Sequence, residues 1–135
     1  MDRLTLLRPD DWHIHLRDNP LLSTTVKDVS RYFGRAIVMP NLQPPVTTST
    51  AALNYRSRIM AHLDNPDQFK PLMTIYLTDN TSPSEIEAAC ECEHIYAVKY
   101  YPAGATTNSD SGVTQLEKCD AALEVMAEKG MPLLV

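Results

Sequence analysis

A chain of 135 residues, with a net charge of -5, 44% hydrophobic and 21% charged residues, has the composition of one globular domain and can bury about two-thirds of its unfolded surface. The acidic balance argues against nucleic acid, which requires a basic face, and no apolar run approaches the roughly 20 residues that cross a bilayer. Asp2 and Arg3 are followed by no secretory leader pattern. Three cysteines without a CxxC spacing suit reduced thiols, so a cytoplasmic protein without membrane or nucleic-acid partners is expected.

Arg3 to Leu7 is a short apolar run, expected to be a leading strand or a lid. Trp12 to Leu16 reads as the first full strand. His13 and His15 would project from one face of it, with Cα atoms roughly 6.6 Å apart. Two imidazoles so placed can lean onto one ion at about 2.0–2.1 Å from each nitrogen. A strand that merely carries two histidines is the alternative. Arg17 and Asp18 follow at the strand's carboxyl end, where α/β proteins keep their chemistry.

Asn19 as N-cap and Pro20 at the first position predict a helix, with Leu21, Leu22, Val26, Val29 and Phe33 at helical spacing and Gly34 as its stop. Arg35 to Met39 reads as the second strand. The loop Pro40 to Thr48, stiffened by Pro40, Pro44 and Pro45, leads to a helix over 49–63 capped by Thr48 or Ser49. Phe69 to Leu77 reads as the third strand. Ser82-Pro83-Ser84-Glu85 has the form of a capping box, which predicts a helix to about Glu93. Ala97 to Tyr101 is the fourth strand, and a loop of small and polar residues runs from Pro102 to Gly112. A second capping-box pattern, Thr114 to Glu117, predicts a helix ending at Lys129 and Gly130. Met131 to Val135 reads as the opening of a fifth strand. His62 and His94 fall late in a helix and at the wrong end of a strand for chemistry. Cys90 and Cys92 do not share a helix face.

This β-α-β-α-β-α-β-α-β order, with continuously apolar strands, predicts an α/β fold whose parallel sheet is covered on both faces. Two architectures fit. One is an open flavodoxin-like sheet, for which the length suffices; the other is the amino-terminal half of a (β/α)8 barrel, which typically needs about 250 residues.

Lys99 lies inside a strand that otherwise reads as buried. Burial can depress a lysine pKa by up to about 3–5 units, leaving a neutral amine that can form a Schiff base or capture carbon dioxide as a carbamate. A carbamate is a two-oxygen anion able to bridge two metal ions. A lysine snorkelling from the strand end is the alternative.

Three stretches resemble signatures of dihydroorotase, of the bacterial type within the amidohydrolase superfamily: Trp12 to Arg17, Met39 to Thr48, and Lys99 to Ser109. The resemblance runs through the chain in order. It implies a (β/α)8 barrel whose two-zinc centre reversibly closes N-carbamoyl-L-aspartate to L-dihydroorotate in pyrimidine synthesis. On it, His13 and His15 would ligate the more buried zinc, and Lys99, as its carbamate, would bridge both ions. Arg17 and Asn41 would hold the substrate carboxylate, for which the planar guanidinium fork is suited. The loop Pro102 to Gly112 would close on the substrate, with Thr106 and Thr107 donating hydrogen bonds. The remaining histidine ligands and the catalytic aspartate would lie on strands five, six and eight, so no general acid or base is expected among these residues. The chain is expected to be a single incomplete barrel domain, 1–135, inactive alone. Its expected partners are the other half of the barrel, a small-molecule substrate and a second copy in a homodimer. Other readings are a hydantoinase- or allantoinase-like relative, a non-catalytic barrel homologue serving as a scaffold, and a Schiff-base aldolase using Lys99.

Overall fold

The structure, a computed structural model, describes residues 2–135. Its strands are β1 (Asp10–Ile14), β2 (Arg35–Val38), β3 (Lys70–Tyr76), β4 (Ile95–Lys99) and β5 (Leu133–Leu134), and its helices are α1 (Leu22–Tyr32), α2 (Ser49–Met60), α3 (Pro83–Glu91) and α4 (Asp120–Lys129). All five strands run parallel in the order β1-β2-β3-β4-β5. That order decides between the two architectures. A flavodoxin-like sheet reverses direction after its first strand pair, whereas sequential neighbours are the arrangement of a barrel.

The core lies between the sheet and its helices. Leu16, Ala36, Val38, Met73, Ile75 and Val98 from the strands and loop join Val26, Val29, Tyr55, Ile59, Ile86 and Ala122 from the helices in one cluster. Because strand side chains alternate, the residues between those core positions face the other way. His13, His15, Thr74, Tyr76, Ala97 and Lys99 therefore share the concave face. Its structure is tied down by Thr74, whose buried hydroxyl donates to the Val38 carbonyl at 2.6 Å.

Several local expectations are corrected. Arg3 to Leu7 form no strand or lid: Leu4, Leu6 and Leu7 are exposed and the segment pairs with no strand among the described residues. The first strand starts and ends two residues earlier than the Trp12–Leu16 reading. The cap before α1 is Asp18 rather than Asn19; its carboxylate accepts the Asn19 N–H at 3.0 Å and opens a 3-10 turn over Asn19–Leu21. At the far end the chain leaves α1 extended at Phe33. Gly34 serves instead as a joint, donating to Pro9 and accepting from Lys70, both at 2.9 Å.

The capping box at Ser82 is half present. Its hydroxyl accepts the Glu85 N–H at 3.2 Å, while the Glu85 carboxylate accepts the N–H and hydroxyl of Ser49, both at 2.6 Å, at the start of α2. The second box does not form. Thr114 donates its N–H and hydroxyl to Asp79, Lys118 binds the same carboxylate at 2.8 Å, and a 3-10 turn over Leu116–Cys119 precedes α4. Gly130 closes α4 in the left-handed conformation at φ 70°, as glycine at that position does.

Candidate metal centre

On the concave face the imidazoles of His13 and His15 converge, with their Nε2 atoms 3.1 Å apart and the rings tilted at 55°. Two nitrogens each about 2.0–2.1 Å from a tetrahedral ion would stand about 3.3 Å apart, so the pair fits a shared cation. The Nδ1 of His15 meets the Asn41 side-chain oxygen at 2.8 Å. Since a carboxamide oxygen only accepts, Nδ1 carries the proton and Nε2 presents its lone pair to the cation position. Burial lowers the pKa of half-buried His15; the Asn41 hydrogen bond opposes that shift, and the charges of Arg17, His13 and Lys99 reinforce it. Lys99 is thus close enough for its charge to be felt at His15.

Lys99 is 5% exposed, and burial lowers its pKa below the ordinary lysine value. Its nitrogen stands 5.2 Å from the centre of the Tyr101 ring, which packs on Tyr76 with ring centres 5.0 Å apart. The buried Tyr101 hydroxyl has no hydrogen-bond partner among the described residues. Two imidazoles, a buried amine whose pKa burial lowers and an orphaned hydroxyl fit a metal with a carbamate linking group. Among the described residues no group of three or more His, Cys, Asp or Glu could hold an ion, so these two imidazoles need donors from outside that set.

Arg17 adopts φ 64°, a left-handed conformation that costs a residue with a Cβ about 1 kcal/mol or more. Its neighbours hold it there. The buried Tyr55 phenol of α2 donates to the Arg17 carbonyl at 2.5 Å, the Thr25 hydroxyl of α1 donates to the Leu16 carbonyl at 2.7 Å, and Arg58 of α2 grips the Asp18 carboxylate at 2.7 and 3.2 Å. The Arg17 charge reaches His15 and Tyr101.

The Pro102 to Gly112 loop is folded down rather than loose. Asn41 donates to the Thr107 carbonyl at 2.9 Å, Asn108 donates to the Asn41 carbonyl at 3.0 Å, and the Tyr76 hydroxyl donates to the Asn108 carbonyl at 3.3 Å. Within the loop, buried Ser109 accepts the Thr106 N–H at 2.8 Å and donates to its carbonyl at 2.6 Å. Thr106 and Thr107 themselves are exposed.

Among known proteins, no protein-family model matches the chain. Curated relatives do. It is 58% identical over 135 residues to dihydroorotase of Ralstonia nicotianae, and 61% identical over 134 residues to dihydroorotases of Ralstonia pickettii and Pseudomonas fluorescens. The chain spans 38–39% of the length of these relatives while they cover 99–100% of it. The chain matches the amino-terminal part of dihydroorotases. Solved structures agree: dihydroorotase of Saccharomyces cerevisiae in complex with 5-fluoroorotic acid superposes with a TM-score of 0.84 at 30% identity, covering 93% of this chain and 34% of that one. Dihydroorotase of Campylobacter jejuni does so with a TM-score of 0.83 at 36% identity, over 93% of this chain and 37% of that one. With the sequential strand order, the dihydroorotase match makes this the amino-terminal half of a (β/α)8 barrel.

Three residues around this site are not legible in the sequence. Asn108, at φ 56°, carries a weak signal, because asparagine tolerates the left-handed conformation best among residues with a Cβ. Tyr55 and Tyr101 carry none, since an aromatic at a core position reads as packing.

Proposed function

We propose that this chain supplies the first part of a two-zinc dihydroorotase centre that reversibly closes N-carbamoyl-L-aspartate to L-dihydroorotate. The convergence of His13 and His15 beside buried Lys99 carries the reading, and the dihydroorotase relatives supply its substrate. In it His13 and His15 would ligate one ion and Lys99, as its carbamate, would link two, burial having lowered the pKa of its amine. What the metals supply when bound is Lewis acidity, acidifying water and polarising the amide carbonyl. Asn41 holds the His15 tautomer and keeps one amide hydrogen free for the substrate carboxylate. Arg17 gives that carboxylate its charged fork. Thr106 and Thr107 offer hydroxyls from the loop that covers the substrate, and that loop's bonds to Asn41 couple closure to the ligand His15.

Residues 1–135 form one incomplete barrel domain in this reading, completed by the other half and assembled as a homodimer in the cytoplasm. No helix among the described residues is long and apolar enough to cross a membrane. The test uses the complete protein, measuring turnover of dihydroorotate against hydantoin together with zinc content. It is run with carbon-13 bicarbonate, so that a carbamate on Lys99 gives its own carbonyl signal. Dihydroorotate turnover, zinc and a signal lost in Lys99→Met are expected. Preference for hydantoin rejects the substrate, and absence of zinc favours the scaffold.

A further inference from the structure

The left-handed Arg17 is gripped from outside the catalytic face. Tyr55 is completely buried and sits one turn before Arg58, whose guanidinium lies 5.4 Å from the Tyr55 ring centre while binding Asp18. One face of α2 therefore holds two successive residues of the turn after β1, residue 17 by its carbonyl and residue 18 by its carboxylate. Burial and the charge of Asp18 raise the Tyr55 pKa, so the phenol remains a donor. A carbonyl in a left-handed residue points where the backbone rotation sends it, and the side chain on the same Cα is rotated with it.

We propose that Tyr55 is a positioning residue for Arg17, its phenol fixing the backbone rotation that directs the guanidinium to the concave face shared with His15 and Lys99. The inference rests on the reading that Arg17 binds the substrate carboxylate. Tyr55 touches neither substrate nor metal; it acts through the Arg17 backbone. Core packing explains the ring but not the hydroxyl, which spends its one donor on a strained residue rather than on a helix carbonyl.

The test is a double-mutant cycle on the complete protein, with KM and kcat for dihydroorotate measured for the parent, Tyr55→Phe, Arg17→Met and both together. Tyr55→Phe keeps the ring and is expected to raise KM by about three- to tenfold, the worth of one neutral hydrogen bond, with kcat little changed. In the Arg17→Met background it should change nothing further, because the group it orients is gone. An equal KM rise in both backgrounds marks a general packing role and overturns the proposal, as does an unchanged KM in Tyr55→Phe where Arg17→Met raises it. An unchanged KM in Arg17→Met itself overturns the carboxylate reading, and the proposal with it. Should Tyr55→Phe fold poorly, 3-fluorotyrosine at position 55 keeps the ring and strengthens the donor; KM at or below the parent's is expected, and a rise overturns the proposal.

Discussion

Replacing Asn41 by alanine removes the group that holds His15 in its ligating tautomer. The side chain is 2% exposed, its oxygen engages His15 Nδ1 at 2.8 Å, and its nitrogen engages the Thr107 carbonyl at 2.9 Å. Without it the imidazole can put its proton on Nε2, toward the cation position, and the ring can swing. Loss of such a partner behind a metal-bound histidine weakens metal affinity by about 10–100-fold, or about 1.4–2.7 kcal/mol. The contrasting variant is Asn41→Asp. A carboxylate there still accepts from Nδ1 but cannot donate to Thr107, so it should keep the parent's zinc affinity while freeing the loop. The assay is competition for zinc against a chromophoric chelator on the complete protein at one fixed pH, since protons compete for the same nitrogens. Asn41→Ala binding zinc within about threefold of the parent would refute the tautomer argument.

Gly112→Ala should open the loop, because a Cβ there would lie 2.4 Å from the Tyr101 carbonyl and 2.9 Å from that of Ser109, and backbone cannot step aside as a side chain can. Faster proteolytic nicking between Pro102 and Gly112 is the expected result, and an unchanged rate would show that the loop accommodates the methyl. Asp79 is held down to about 2 from 3.8 by hydrogen bonds from Lys118 and Thr114. A carboxyl depressed on folding adds stability that is present above its unfolded value and lost as the pH falls from about 3.8 through about 2. A carbon-13 titration of Asp79 should therefore show a midpoint near 2 that climbs toward 3.8 in Lys118→Met; an unmoved midpoint would assign the depression to something other than the clamp.

The alternation that brings His13 and His15 to one face is a property of any strand, which made the pair legible in the residues alone. The apolar setting of Lys99 was legible for the same reason, because strand burial shows in consecutive side chains. The caps were read less well. Asn19 and Thr114 have the right chemistry for helix starts, but Asp18 takes the Asn19 N–H and Asp79 takes the N–H and hydroxyl of Thr114, and spacing does not say which oxygen arrives.

Local pattern thus determined the elements, their α/β alternation and the face that bears the imidazoles, because those depend on neighbours a few residues away. The order of strands, the seat of Asn41 behind His15, and the grip of Tyr55 on Arg17 were decided only in three dimensions. Each joins residues 22 to 38 positions apart, and contacts over that distance are set by how the helices pack on the sheet, which no short window of sequence encodes.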